Sequence, residues 1–228
     1  FVIVAFRGTQ VPKLGEGQDP LDLLKHSLRD IYTDAKFALV DAGQGYFVHR
    51  GFNDALDEVW SAVSKHLDDL RDEKPNRKFW FTGHSLGAAL ATLAVDRYEH
   101  ADGLYTFGSP LVGGRKFSSQ FRPGTFRIVN HNDIVTRVPP IGPYKPHRFL
   151  PGVYSHVGQQ VYIDRNHEIR MGAWNRFLQG TRRFVPGMFA AVRDSGRKSL
   201  LNAPGDFLLD HTPLYYALHI WNNYAADQ

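Results

Sequence analysis

Apolar residues recur along this chain in two alternating rhythms. Short β-type runs lie at 1–6 (FVIVAF), 45–48 (GYFV), 77–82 (RKFWFT), 104–107 (LYTF), 125–130 (TFRIVN) and 159–163 (QQVYI). Between several of them the spacing lengthens to threes and fours. In 53–70, Leu56, Val59, Val63, Leu67 and Leu70 mark one buried helical face. Farther on, Leu86, Leu90, Leu93 and Arg97 share a face, and Ala88, Ala89 and Ala91 permit close packing on a sheet. Strands alternating with helices predict an α/β layer architecture around a largely parallel sheet. In such sheets functional groups gather at the carboxyl ends of strands.

One strand end carries candidate chemistry. In FWFTGHSLGAAL (79–90) an apolar run ends at Thr82, a small-residue helix follows Gly87, and Ser85 stands between Gly83 and Gly87. G-x-S-x-G at a strand-to-helix turn is the pattern of a nucleophile elbow, whose strained backbone lifts the serine hydroxyl clear of the sheet edge. Glycines fit where strand and helix nearly touch, and a helix N-terminus beneath the serine favours an oxyanion. A Gly-rich turn with a chance serine has the same spelling, so the motif needs partners.

A serine hydroxyl is a weak nucleophile until a histidine takes its proton and a carboxylate orients that histidine. For the acid, VNHNDIVTRVPP (129–140) places Asp133 directly after a strand-like run, although a solvated turn aspartate reads the same. For the base, His211 in FLLDHTPLYYAL precedes a helical C-terminus whose first turn suits Pro213; His156 in VYSHVGQQV is the rival. His84 beside the serine reads as a wall residue. His131 and Asp133 lack a convincing third metal ligand. An oxyanion hole needs two donors: the amide after the nucleophile, here Leu86, and one from a loop after an early strand, where Thr9 ends FRGT.

Composition narrows the class. With 228 residues, 43% hydrophobic and 22% charged, the chain suits one globular α/β domain spanning 1–228. Net charge is +4, without the dense basic stripe of a nucleic-acid binder, so no nucleic-acid partner is expected. No apolar run approaches the roughly 20 residues that span a bilayer. The absence of cysteine excludes disulfides, thiolate nucleophiles and thiolate metal sites. Phe1 enters at once into a strand without an initiator methionine, so an upstream part is expected to be missing.

Taken together, VAFRGT (4–9), VHRGF (48–52), TGHSLGAALATL (82–93), YTFGSPLVGG (105–114), VNHNDIVTRVPP (129–140), YSHVGQQVYI (154–163) and DHTPLYY (210–216) resemble, in order, the motifs of class 3 (fungal-type) lipases of the α/β-hydrolase superfamily. The resemblance implies Ser85 as nucleophile, Asp133 as triad acid and His211 as base, with Thr9 and Leu86 at the oxyanion positions. It demotes His156 and matches the tyrosine that follows the family's base to Tyr215. His84, Val138, Pro139, Pro213 and Leu214 are expected around the substrate pocket. It further implies ester hydrolysis with no metal or organic cofactor, on acylglycerols or other esters at a lipid–water interface. Phospholipase A1 and soluble-ester (including feruloyl) esterase activities are the alternatives, and a non-catalytic binding module is the reading from another class. Secreted and cytoplasmic locations are both open, and the resemblance leans to secretion.

Departures accompany it. Gly87 is followed by Ala88 where the family commonly has a second glycine, and the helix and strands that precede the family's RGT strand are missing. Residues 10–28 sit where the family carries a lid. The basic, aromatic stretch 164–209, with Trp174, Phe177 and Phe189 among Arg170, Arg176 and Arg182, matches no family motif; packing against the body is its expected role, with an interfacial surface as the alternative.

Overall fold

The computed structural model describes residues 1–8, 38–138, 154–171 and 208–226. Their strands are β1 (Val2–Phe6), β2 (Leu39–Asp41), β3 (Phe47–His49), β4 (Phe79–His84), β5 (Gly103–Phe107), β6 (Gly113–Gly114), β7 (Gly124–Asn130), β8 (Tyr154–Ser155), β9 (Gln159–Ile163) and β10 (Ile169–Met171). The helices are α1 (Arg50–Glu73), α2 (Leu86–Arg97), α3 (Arg115–Gln120) and α4 (Pro213–Ala226).

Six strands form the main sheet in the order β1-β4-β5-β7-β9-β10. All neighbours are parallel except β10, which turns back antiparallel on β9. The short strands β2-β3-β6-β8 make a second, antiparallel sheet. These are two- and three-residue pieces, too brief to show a period in sequence. β10 likewise lies inside 164–209, where no strand was expected.

Alternation along the central strands sorts side chains to two faces. Phe79, Phe81 and Leu104 point to one face and enter the main core with Phe52, Leu56, Leu67 and Leu93. Burying each such side chain contributes about 1.5–3 kcal/mol. α1 delivers Phe52, Leu56 and Leu67 to this core, but Val59, expected on the same face, is 43% exposed. At about 100° per residue Val59 stands at the rim of the stripe centred on Leu56, Val63 and Leu67, where cover ends. α2 is buried on most sides, through Ala88, Ala89, Ala91, Ala94 and Val95, because small side chains let the helix lie against the sheet.

On the other face Ile128, Val161 and Ile163 form a smaller cluster with Tyr216 of α4, and Ile220 packs against it. α4 is thereby fixed over the β7–β9 half of the sheet. The carboxyl ends of β4, β5 and β7 lie side by side, with His84 opposite Phe107 and Phe107 opposite Ile128. The loops that leave those ends meet the turn that enters α4.

Candidate active site

Ser85 occupies the turn between β4 and α2 with φ 56° and ψ −124°, a backbone that L-residues avoid and that persists only where its surroundings enforce it. Here the enforcement is close packing at the flanking glycines. A Cβ on Gly83 would lie 2.3 Å from the Gly87 backbone, and one on Gly87 would lie 2.2 Å from the carbonyl oxygen of Phe6. The Ser85 amide donates to the carbonyl of Phe107 at 3.0 Å, which stitches the turn to the end of β5. Leu86, the first residue of α2, has no intrahelical acceptor for its amide.

Asp133 comes from the loop after β7 and His211 from the turn before α4. The Ser85 hydroxyl lies 2.8 Å from His211 Nε2, and His211 Nδ1 lies 3.0 and 2.9 Å from the two carboxylate oxygens of Asp133. A carboxylate only accepts, so Nδ1 carries the proton and Nε2 is left to receive one from the serine. Ser85, Asp133 and His211 are 4%, 0% and 1% exposed, so Asp133 is no solvated turn residue.

Burial raises the Asp133 carboxyl. The His211 charge and hydrogen bonds from His211, Tyr216 and the Val135 amide outweigh it and hold the group below the ordinary carboxylate value. Tyr216 donates to Asp133 Oδ2 at 2.6 Å and accepts the Asn130 amide at 3.0 Å. Burial and the Asp133 charge push its phenol well above the usual range, so it remains a donor. The tyrosine at the site is therefore Tyr216 and not Tyr215, whose ring stacks on His219 instead. α4 starts at Pro213, and its phase turns Tyr216, His219 and Ile220 inward. That phase was the available signal.

Gly108, just after β5, has φ 59°, and a Cβ there would lie 2.8 Å from Asp133 Oδ2 and 3.0 Å from His211 Nδ1. The glycine of the FGSP stretch thus makes room for the acid–base pair, a role its sequence position did not announce. His156, the rival base, is spent elsewhere: its Nε2 donates to the Thr136 carbonyl at 2.8 Å, and burial and the Arg127 charge push it well below the ordinary histidine value. His131 pairs with Asp210 at 3.1 Å, and the described residues contain no group of three or more side chains able to hold a metal.

His84, expected as a pocket wall, packs against His211 with ring centroids 4.6 Å apart. Val138 is buried in the main core, while Pro213 and Leu214 are exposed at the start of α4. Thr9, Pro139, the segment 10–28 and all of 164–209 except its two ends lie outside the described residues. No helix among those residues is long and apolar enough to cross a membrane.

A lipase (class 3) family model matches residues 3–142. A secreted mono- and diacylglycerol lipase 1 of Fusarium solani is 39% identical over 108 residues, covering 44% of this chain and 32% of that protein. A phospholipase A1-II 6 of Oryza sativa is 31% identical over 201 residues, covering 72% of this chain and 46% of that one. The matched stretch thus spans less than half the length of either relative. Among solved structures, the Rhizomucor miehei lipase propeptide complex superposes with a TM-score of 0.52 at 31% identity, over 62% of this chain and 47% of that chain. With a mostly parallel sheet between helices and a family match over more than half its length, the chain has the α/β-hydrolase fold and belongs to the class 3 lipase family.

Proposed function

We propose that this chain hydrolyses carboxylic esters, most directly acylglycerols, through an acyl-enzyme on Ser85. The observation that carries the proposal is the unbroken chain of contacts from the Ser85 hydroxyl through His211 to Asp133, mounted on a strained elbow. His211 Nε2 takes the Ser85 proton as the hydroxyl oxygen attacks the ester carbonyl carbon. Asp133 holds the tautomer and stabilises the resulting imidazolium. The Leu86 amide is one oxyanion donor, and Thr9 is assigned as the second from the sequence. His211 then protonates the departing alcohol; water, deprotonated by the same nitrogen, releases the acid and restores the serine. No step calls for a metal or organic cofactor.

We assign a lid role to residues 10–28, on their place in the sequence alone, and treat 1–228 as one domain. The substrate preference follows the named relatives: acylglycerols first, after the Fusarium lipase at 39% identity, and phospholipid esters second, after the rice phospholipase A1, which matches a larger share of this chain at 31% identity. A lean toward secretion rests on the Fusarium relative, which is named a secreted lipase.

The test is a panel of p-nitrophenyl esters from acetate to palmitate, emulsified triacylglycerol and a phosphatidylcholine, for wild type and Ser85→Ala. Serine-dependent turnover of the long chains and the emulsion supports a lipase, with loss of roughly 10⁵-fold or more in the variant. Turnover confined to the phospholipid supports the second reading. Short soluble esters alone make it an esterase. No serine-dependent turnover by folded protein overturns ester hydrolysis and favours a binding module.

A further inference from the structure

His84 has no part in the proton path, yet it touches the base more intimately than any pocket wall needs to. Its Nε2 lies 2.7 Å from the backbone carbonyl oxygen of His211. A carbonyl only accepts, so His84 is fixed as the Nε2–H tautomer and donates. Its ring lies beneath the His211 ring at 4.6 Å between centroids and 32° between planes, and the Tyr216 ring stands edge-on to it at 5.6 Å.

Because His84 immediately precedes Ser85, this bond ties the nucleophile's own turn to the main chain of the base. The side-chain contact at 2.8 Å between Ser85 and His211 is thus backed by a second bridge from the neighbouring residue. We propose that His84 is a positioning residue: its Nε2–H fixes the His211 backbone, and hence the imidazole, over Ser85 throughout the acyl-transfer cycle. The inference rests on the ester-hydrolase reading of the same site.

Two further features fit the role. The groups facing His84 are His211, Asp133 and Tyr216, and it must stay uncharged while His211 passes through its imidazolium form. Burial first, and the His211 charge second, lower its pKa to about 4, so it remains neutral at the pH where esters are hydrolysed. A neutral ring under the imidazolium opposes no charge and offers a π-face to it. Losing the donor would leave a buried carbonyl unpaired and free the turn to drift, and small displacements of a base are costly in rate.

The experiment measures kcat and KM for a soluble ester with His84→Phe, which keeps an aromatic ring without the donor; His84→Gln, whose amide nitrogen reaches where Nε2 stands; and His84→Asn, one bond short of it. Circular dichroism checks each fold, and phosphonate labelling of Ser85 in wild type checks the underlying reading. The expected result is a kcat lowered roughly 10- to 100-fold in the Phe variant, with KM little changed and most of the rate recovered by Gln. An unchanged kcat in the Phe variant, or a Gln variant no better than Phe, overturns the assignment while leaving the hydrolase intact. If Phe does not fold, Gln against Asn decides: a faster Gln variant supports the tie, and equal rates overturn it. A wild type that neither labels nor turns over ester refutes the hydrolase reading itself.

Discussion

Tyr216 and Asp133 are joined by a 2.6 Å hydrogen bond in which the phenol donates to the carboxylate that also holds His211. The bond carries more than one charge-assisted contact, because the same phenolic oxygen accepts the buried amide of Asn130 at the end of β7. A single hydroxyl on α4 therefore satisfies an anion and a backbone donor on the acid loop.

Replacing Tyr216 by Phe removes both at once. A hydrogen bond to a buried charge is worth about 1.5–3 kcal/mol, so thermal unfolding should shift down by roughly 5 °C for a chain of this size. With one donor fewer, Asp133 becomes easier to protonate. Activity should fall several-fold, and its acid limb should move to higher pH. A thermal melt and a pH–rate profile check both; a variant with wild-type melting would show that the amide of Asn130 and the carboxylate find water instead.

Gly108 gives a second prediction. Alanine there must adopt φ near 59° and place its Cβ 2.8 Å from Asp133 Oδ2. The backbone strain alone costs about 1–3 kcal/mol, and the pair must yield by a fraction of an ångström. Gly108→Ala should fold with reduced stability and lose on the order of 100-fold in kcat. Steady-state kinetics alongside a denaturant titration separate the two effects.

The buried histidines set the response to acid. His84 titrates near about 4 and His156 well below the ordinary 6.5, in both cases chiefly through burial. Unfolded histidines take up protons below about 6.5, so the unfolded state binds more protons throughout the window beneath that value. Stability is complete above about pH 6.5 and declines as the pH falls toward about 4. Each histidine contributes up to about 1.4 kcal/mol per pH unit. The lowered Asp133 acts in the same direction at still lower pH, since its stabilisation is present above the ordinary carboxylate value and lost as pH falls through the native one. Melting temperature measured from pH 8 to 4.5 should fall by roughly 10 °C, and His84→Gln should flatten the slope by about one proton.

The strands and the elbow were legible because their signals are local. A strand-like run leading into G-x-S-x-G states that a strand meets a helix at Ser85, although β4 runs to His84, two residues past the expected end at Thr82. The acid was half legible: its place after β7 fitted, but only tertiary packing makes Asp133 a buried anion and not a turn residue. Choosing His211 over His156 needed either the family pattern or the fold, because both histidines follow Asp133 and nothing near them in sequence tells which one donates to a carbonyl. Tyr216 was not read from the sequence, where the family match stopped at the neighbouring Tyr215; the phase of α4 is what turns it toward Asp133. Gly108 was unreadable, since its purpose is the space it leaves for residues far along the chain. The two- and three-residue strands of the second sheet have too few side chains to show any period.

The serine and its base are 126 residues apart in the chain, and the acid and base 78 apart. Contacts of such separation cost loop-closure entropy before they return any packing. The elbow is no more local, since β1 joins β4 with Val2 opposite Phe79 and Gly87 closes against Phe6. Each triad member thus stands at the end of an element whose place is set by the whole sheet, so a substitution that loosens the sheet far from Ser85 is expected to lower turnover together with stability.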